Sequence, residues 1–249
     1  MRRHLAPTPV WLLALVVALA AGLVGVVPHP AAAQQDSLPA LVRSTASDVD
    51  AYWRAQFAAA GLPYQPSKAV LMQQVTATGC GHAAPSAGAF YCDTDQTIYV
   101  GDSFLAAQIW PFGDAAVVQV IAHEWGHHVQ QQLGLVQGPA GIAGATSAGE
   151  AIELQADCLS GTYMRDAVRR HRLTPTEVDQ AISVLMDVGG DPASLPPGSE
   201  RAHGSGPDRV RLFLQGYYVG QSFAGCGTLA PPSQPKNAPL GWSPVASSQ

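Results

Sequence analysis

The hydrophobic positions of the chain fall into separable patterns. Leu38, Leu41, Val42, Val49, Tyr52, Trp53 and Phe57 recur at a spacing closer to 3.6 than to 2, which predicts one amphipathic helix over Ser37 to Ala60. Between Tyr64 and Val100 the pattern changes to short β-prone runs, Ala69 to Met72 and Gln96 to Val100, separated by Gly, Pro and Ser. A small sheet is expected there. The run from Ala115 to Gln132 has no proline and one glycine, so a long buried helix is predicted, with Asp114 as its N-cap. Gly134 ends it, and Gly138 to Ala145 forms a Gly-rich connection. A second long helix is predicted from Ser147 to Arg170, where Arg165, Arg169 and Arg170 complement the partial negative charge of its C-terminal end. Thr174-Pro175-Thr176-Glu177 has the form of a capping box and opens a helix to about Val188. Gly189 to Pro207 reads as a loop, and Val210, Phe213, Leu214 and Tyr217 share one face of a last helix from Pro207 to about Val219. These elements make an α+β fold, mainly helical with a small sheet.

The two ends differ from this core. Arg2 and Arg3 precede an uncharged apolar run from Val10 to Val27, and Ala31-Ala32-Ala33 offers the small residues at which a signal peptidase cuts. Residues 1–33 are therefore expected to be an export signal. Left uncut, residues 10–27 would serve as a membrane anchor, since a run of that length just reaches the spanning range. In both cases the domain, residues 34–229, lies outside the cytoplasm, secreted or tethered to the membrane. The Pro/Ser-rich stretch 230–249 has little to bury and is expected to be disordered. A composition of 47% hydrophobic and 12% charged residues suits a globular domain. The formal charge of −5 and the lack of any basic run beyond short pairs argue against a nucleic-acid partner.

Export also sets the reading of the four cysteines, because an oxidising compartment allows an even number to pair. Of the three possible pairings, Cys80 with Cys92 is favoured by the short Gly/Pro/Ala-rich segment between them, which leaves Cys158 with Cys226. A zinc site made from these four cysteines is the competing reading. It lacks any C-x-x-C pair.

Within the first long helix lies His123-Glu124-Trp125-Gly126-His127, an H-E-x-x-H sequence. Imidazoles four residues apart share a helix face and can reach one Zn²⁺, with the intervening carboxylate beside the metal's open position as general base. A catalytic zinc needs a third protein ligand. The second helix supplies candidates in Glu153-Leu154-Gln155-Ala156-Asp157, whose two carboxylates stand at i and i+4. Glu153 is the preferred ligand, with Asp157 accepting a hydrogen bond from the outer nitrogen of a ligating histidine. Glu150 or Asp157 as the third ligand remains open. His128 points about 100° round the helix from His127 and is read as structural or surface. His203, in Ala202-His203-Gly204-Ser205, could donate to an oxyanion, although a lone loop histidine is more often a surface residue.

These motifs resemble the predicted neutral zinc metallopeptidases of bacteria, which are exported or membrane-anchored zincins. The likeness runs from about Tyr64 to Cys226. It includes Cys80-Gly81, Phe90-Tyr91-Cys92, Asp95 and Tyr99, then Ile121 through Gln130, then Glu153 through Cys158, and finally His203-Gly204-Ser205, Arg209, Phe213, Gly216, Gly220 and Cys226. The resemblance implies a zincin-like fold in which the H-E-x-x-H helix packs on the helix carrying Glu153 and Asp157. One zinc per chain would be held by His123, His127 and an acidic residue of the second helix, with Glu124 as general base. It also favours a catalytic role for His203, because the family carries His-Gly-Ser there. The chain departs from the family pattern at Leu212, at Pro207-Asp208 and in the spacing from Gly220 to Cys226.

The activity these residues imply is zinc-dependent hydrolysis of a peptide or protein substrate. The substrate is expected to lie extended along the strand Gln96 to Val100, taken as an unpaired sheet edge. An exported zinc-binding domain that recognises a protein partner and cleaves nothing is the alternative. It leaves Glu124 without a purpose, since Glu124 is no ligand in the His₂Glu set. The metal chemistry does not exclude a third reading, hydrolysis of a non-peptide amide such as a cell-wall cross-link.

Overall fold

The computed structural model describes residues 37–135, 148–188, 203–220 and 222–226. The export signal or anchor, the Gly-rich connection 138–145, most of the loop from Gly189 and the tail 230–249 lie outside the described residues. No helix among the described residues is long and apolar enough to cross a membrane.

Helix α1 (Leu38–Ala59) buries the face read from the sequence, from Leu38 through Trp53 to Phe57. Pro39 stands in its first turn, where a missing N–H costs nothing. A three-stranded sheet follows, with order β1 (Ala69–Met72), β5 (Thr97–Gly101), β4 (Ala89–Cys92); β5 is parallel to β1 and antiparallel to β4. A separate hairpin joins β2 (Thr76–Thr78) to β3 (Gly81–Ala83).

The strand taken from the sequence as an unpaired edge, Gln96 to Val100, is instead the centre of the sheet, hydrogen-bonded on both sides. All five residues of β5 are buried, as an interior strand requires, and a continuous buried run of this kind marks a strand covered on both faces. The free edges belong to β1 and β4. The Cys80–Cys92 disulfide ties the β2–β3 turn to the end of β4, and Asp95 reinforces it by accepting hydrogen bonds from Gly79 N at 2.7 Å and Tyr99 Oη at 2.8 Å.

Helix α2 (Asp102–Phe104) runs through a π-helical turn and a 3₁₀ turn (Trp110–Phe112) to Gly113. Gly113, not Asp114, caps α3 (Asp114–Gln132): its φ of 116° is a conformation natural to glycine. Asp114 is already the first helical residue, and its carboxylate accepts from Trp110 Nε1 at 2.7 Å. Helix α3 is buried on nearly all sides, from Ala115 to Gln130, as befits the central helix of the domain. It touches α1, the sheet, α4 (Ala148–Arg169) and α5 (Val178–Val188). The capping box at Thr174 and Glu177 is present, with a 3₁₀ first turn leading into α5.

Helix α4 packs most extensively on α6 (Gly206–Tyr218). The two approach backbone to backbone: a Cβ on Gly216 would come within 1.9 Å of the Cys158 carbonyl oxygen, and one on Gly161 within 2.1 Å of that of Phe213. The Cys158–Cys226 disulfide fastens the segment after α6 to the same stretch of α4. Gln155 Nε2 adds a bond to the Cys226 carbonyl at 3.1 Å. With both disulfides formed, no thiolate is left for a four-cysteine zinc site.

Candidate metal centre

Three segments meet at one point. Helix α3 presents His123, Glu124 and His127; α4 presents Glu153 and Asp157; the turn into α6 presents His203 and, three residues inside the helix, Arg209. Ligand atoms of His123, His127 and Glu153 all lie within 4.8 Å of one another. The Glu153 carboxylate faces both rings, with Oε2 3.1 Å from His123 Nε2 and Oε1 3.6 Å from His127 Nε2.

The outer nitrogens of both rings are engaged elsewhere. His123 Nδ1 donates to Asp157 Oδ1 at 2.8 Å. His127 Nδ1 donates to Gln130 Oε1 at 2.9 Å. Gln130 is held in that orientation because its amide nitrogen donates to Ile152 O at 2.7 Å and to Gln155 Oε1 at 3.0 Å. With Nδ1 engaged as a donor, the nitrogen left to bind a metal is Nε2, the atom turned towards Glu153, which offers its lone pair once it gives up its proton to the ion. Two nitrogen lone pairs and a carboxylate converging on one point form a His₂Glu donor set, which suits Zn²⁺.

The electrostatics agree. Burial alone would lower the His123 pKa, but the charge of Asp157 and the hydrogen bonds to Asp157 and Glu153 outweigh it and raise the value to about 10, so the site favours a positive charge on this ring. Burial would raise Glu153, and the hydrogen bonds of His123, His127 and His203 instead hold its carboxyl far below the usual range. The site draws positive charge into the space between these side chains, which is where a divalent cation would supply it.

Asp157 does not join the three converging residues; it lies behind His123. Both of its oxygens accept from Arg209, Oδ2 from Nε at 2.8 Å and Oδ1 from Nη2 at 2.9 Å. Glu150, the other alternative ligand, is also buried and outside the three. Its carboxylate lies near Gly204, where a Cβ would stand 3.5 Å from Oε1. His203 Nδ1 bonds Glu153 Oε2 at 2.8 Å, with half of the His203 side chain exposed. His128 is fully buried and structural: Nε2 donates to the Gln65 carbonyl at 2.8 Å, and Nδ1 lies 3.0 Å from Tyr91 Oη.

A cavity of about 230 Å³ opens beside His123, the one of the three converging residues that lines it. Glu124, His203 and Arg209 line it together with the apolar side chains of Phe104, Val184 and Leu185 and with Ala89 at the start of β4. Glu124 is thus in the cleft and outside the ligand set. Sequence reasoning about individual residues missed Arg209 and Gln130. The i+3 spacing from His127 could have revealed Gln130, whereas nothing near Asp157 in sequence announces Arg209.

Curated relatives share this chain's sequence at moderate identity. Uncharacterized protein YpfJ of Escherichia coli (strain K12) is 32% identical over 191 residues, covering 71% of this chain and 66% of the relative. Uncharacterized protein Rv2575 of Mycobacterium tuberculosis (strain ATCC 25618 / H37Rv) is 31% identical over 199 residues, 72% of this chain and 67% of the relative. The matched part spans about two thirds of the length of each. No solved structure matches the chain. The family model that matches spans residues 17–229, across all three segments that build the site, and by that match the chain belongs to the family described as "Putative neutral zinc metallopeptidase".

Proposed function

We propose that this protein is a zinc-dependent peptidase of zincin-like architecture, with one zinc held by His123, His127 and Glu153. The observation that carries the reading is the placement of Glu124: it lines the cavity beside the converging donor atoms and is not one of them. A purely structural zinc site has little use for such a carboxylate, which weighs against the non-catalytic alternative.

Zinc bound there supplies Lewis acidity, polarising a substrate carbonyl and lowering the pKa of water. Glu124 takes the proton from the attacking water and delivers it to the leaving amine. Glu153 orients His203 by accepting from its Nδ1, and as the imidazolium His203 has a second N–H, on Nε2, to donate to the oxyanion. Asp157 and Gln130 keep the two imidazoles turned with Nε2 inward. The sheet edge beside the site is the start of β4, where Ala87, Gly88 and Ala89 line the cavity. An extended peptide would add there as a further strand, at an edge that β5 cannot offer. Residues 1–33 would export the domain or tether it to the membrane.

Elemental analysis of the purified chain tests the site. One zinc per chain is expected, lost in Glu153→Ala. A wild-type chain refolded with zinc and with intact disulfides that held no metal would overturn the reading. Cleavage of a peptide library that requires both zinc and Glu124 tests the activity.

A further inference from the structure

The metal side of the site can be traced outward from His123, and the trace ends on α6. The Asp157 carboxylate is fully buried, and Arg209 is 4% exposed. The guanidinium fork takes both carboxylate oxygens, so it fixes the plane of the carboxylate as well as its place. Oδ1 is shared: it accepts from Arg209 Nη2 at 2.9 Å and from His123 Nδ1 at 2.8 Å. The direction of the His123 ring is therefore set by an oxygen whose own position is set by Arg209.

Arg209 is in turn held by its helix. Its backbone N–H donates to Ser205 O at 2.9 Å, and the Ser205 side chain caps the first turn by accepting from Asp208 N at 3.2 Å. Six residues before Arg209, His203 reaches the other carboxylate of the pair, Glu153. The start of α6 thus grips Glu153 and Asp157, one turn apart on α4, with two different side chains.

Resting on the metal reading of the site, we propose that Arg209 is a positioning residue for the metal: its two-pronged hold on Asp157 aims His123 Nε2 at the ion. A lysine has the same charge and comparable reach but cannot bind both carboxylate oxygens in a fixed plane. If Arg209 only neutralised buried charge or closed α6 onto α4, lysine would serve.

The test uses the full chain and compares wild type, Arg209→Lys and Arg209→Ala. Zinc affinity is measured by competition with a chromophoric chelator, and site geometry from the visible absorption of the cobalt-substituted protein. Circular dichroism reports the fold. Arg209→Lys is expected to keep the helical spectrum, to bind zinc about ten- to hundredfold more weakly, and to show altered cobalt bands. Arg209→Ala is expected to lose more, with free guanidinium at millimolar concentration restoring part of the affinity. Wild-type affinity and cobalt bands in Arg209→Lys would overturn the proposal. So would failure of both variants to fold even with guanidinium present, since Arg209 would then be an architectural residue. A wild-type protein that binds neither zinc nor cobalt refutes the metal reading itself, a result separable from both.

Discussion

Gly126 of α3 lies against the backbone of Ala156 in α4, so closely that a Cβ on Gly126 would stand 2.9 Å from Ala156 Cα. Gly126 falls between His123 and His127, and Ala156 between Glu153 and Asp157, so this contact fixes the separation of the two halves of the site. Gly126→Ala should gain up to about 1 kcal/mol of helix propensity and lose about 1–3 kcal/mol to overpacking. The expected balance is a modest fall in melting temperature with a clear loss of zinc affinity, because the helices separate where the ligands converge. Calorimetry and chelator competition on the same preparation check this; unchanged affinity would mean that the contact can relax elsewhere.

Glu124→Gln keeps size and hydrogen bonding while removing the base. Zinc content should remain at the wild-type level, and the rate of peptide hydrolysis should fall by about 10²–10⁴-fold. Turnover retained near the wild-type rate would remove Glu124 from the proposed mechanism.

Far from the cleft, Asp48 joins α1 to α4. It accepts from Arg170 Nη1 at 2.8 Å, from Arg170 Nη2 at 2.9 Å and from Tyr163 Oη at 2.9 Å. Burial pushes its carboxyl up, but these hydrogen bonds together with the charges of Arg170 and Arg172 outweigh it and hold the group below its ordinary value of 3.8. The folded state therefore binds this proton less readily than the unfolded chain. Its stabilisation is complete above the unfolded pKa and fades as pH falls through the lower folded value. Asp48→Asn should lower stability by about 1 kcal/mol at pH 7, the scale of a partly exposed ion pair. The difference from wild type should shrink below about pH 4. Urea unfolding of both proteins at pH 7 and pH 3 gives the comparison, and an equal difference at the two values would contradict it.

The two disulfides close loops of unequal size, with sequence separations of 12 and 68. On chain entropy alone the first is worth about 3 kcal/mol and the second about 4 kcal/mol. The second also holds the segment after α6 beside Gln155. Replacing Cys158 and Cys226 together by serine should therefore lower the denaturation midpoint more than replacing Cys80 and Cys92, and should weaken zinc binding as well. Equal effects of the two double variants would show that the position of the crosslink is unimportant.

The helices were legible from two kinds of signal, a 3.6-residue apolar period in α1 and α6 and, in α3 and α4, a long run bounded by glycine or by terminal charge, and all four lie within a residue or so of the predicted bounds. The H-E-x-x-H set was legible because its geometry is internal to one helix. Glu153 and Asp157 came from a second long helix, and the structure brings Glu153 to the two histidines with Asp157 behind. The status of β5 was not legible, since whether a strand is an edge depends on what pairs with it. The cap of α3 was misplaced by one residue because Asp114 is engaged by Trp110, a partner that helix-start rules do not consider. Arg209 stands 52 residues from Asp157, and a pair so distant leaves no periodic trace.

The docking of α6 also governs when the site can come into being. His123, His127 and Glu153 are all present once α4 has been made, yet the residues that grip Glu153 and Asp157 arrive only with His203 and Arg209, and the crosslink only with Cys226. Loop closures of this span form late, after local helices. A chain still being synthesised, or cut short before α6, would carry the ligands without the side chains that aim them. On the proposed function, the order of the sequence delays a competent hydrolase until nearly the whole domain has been made and folded.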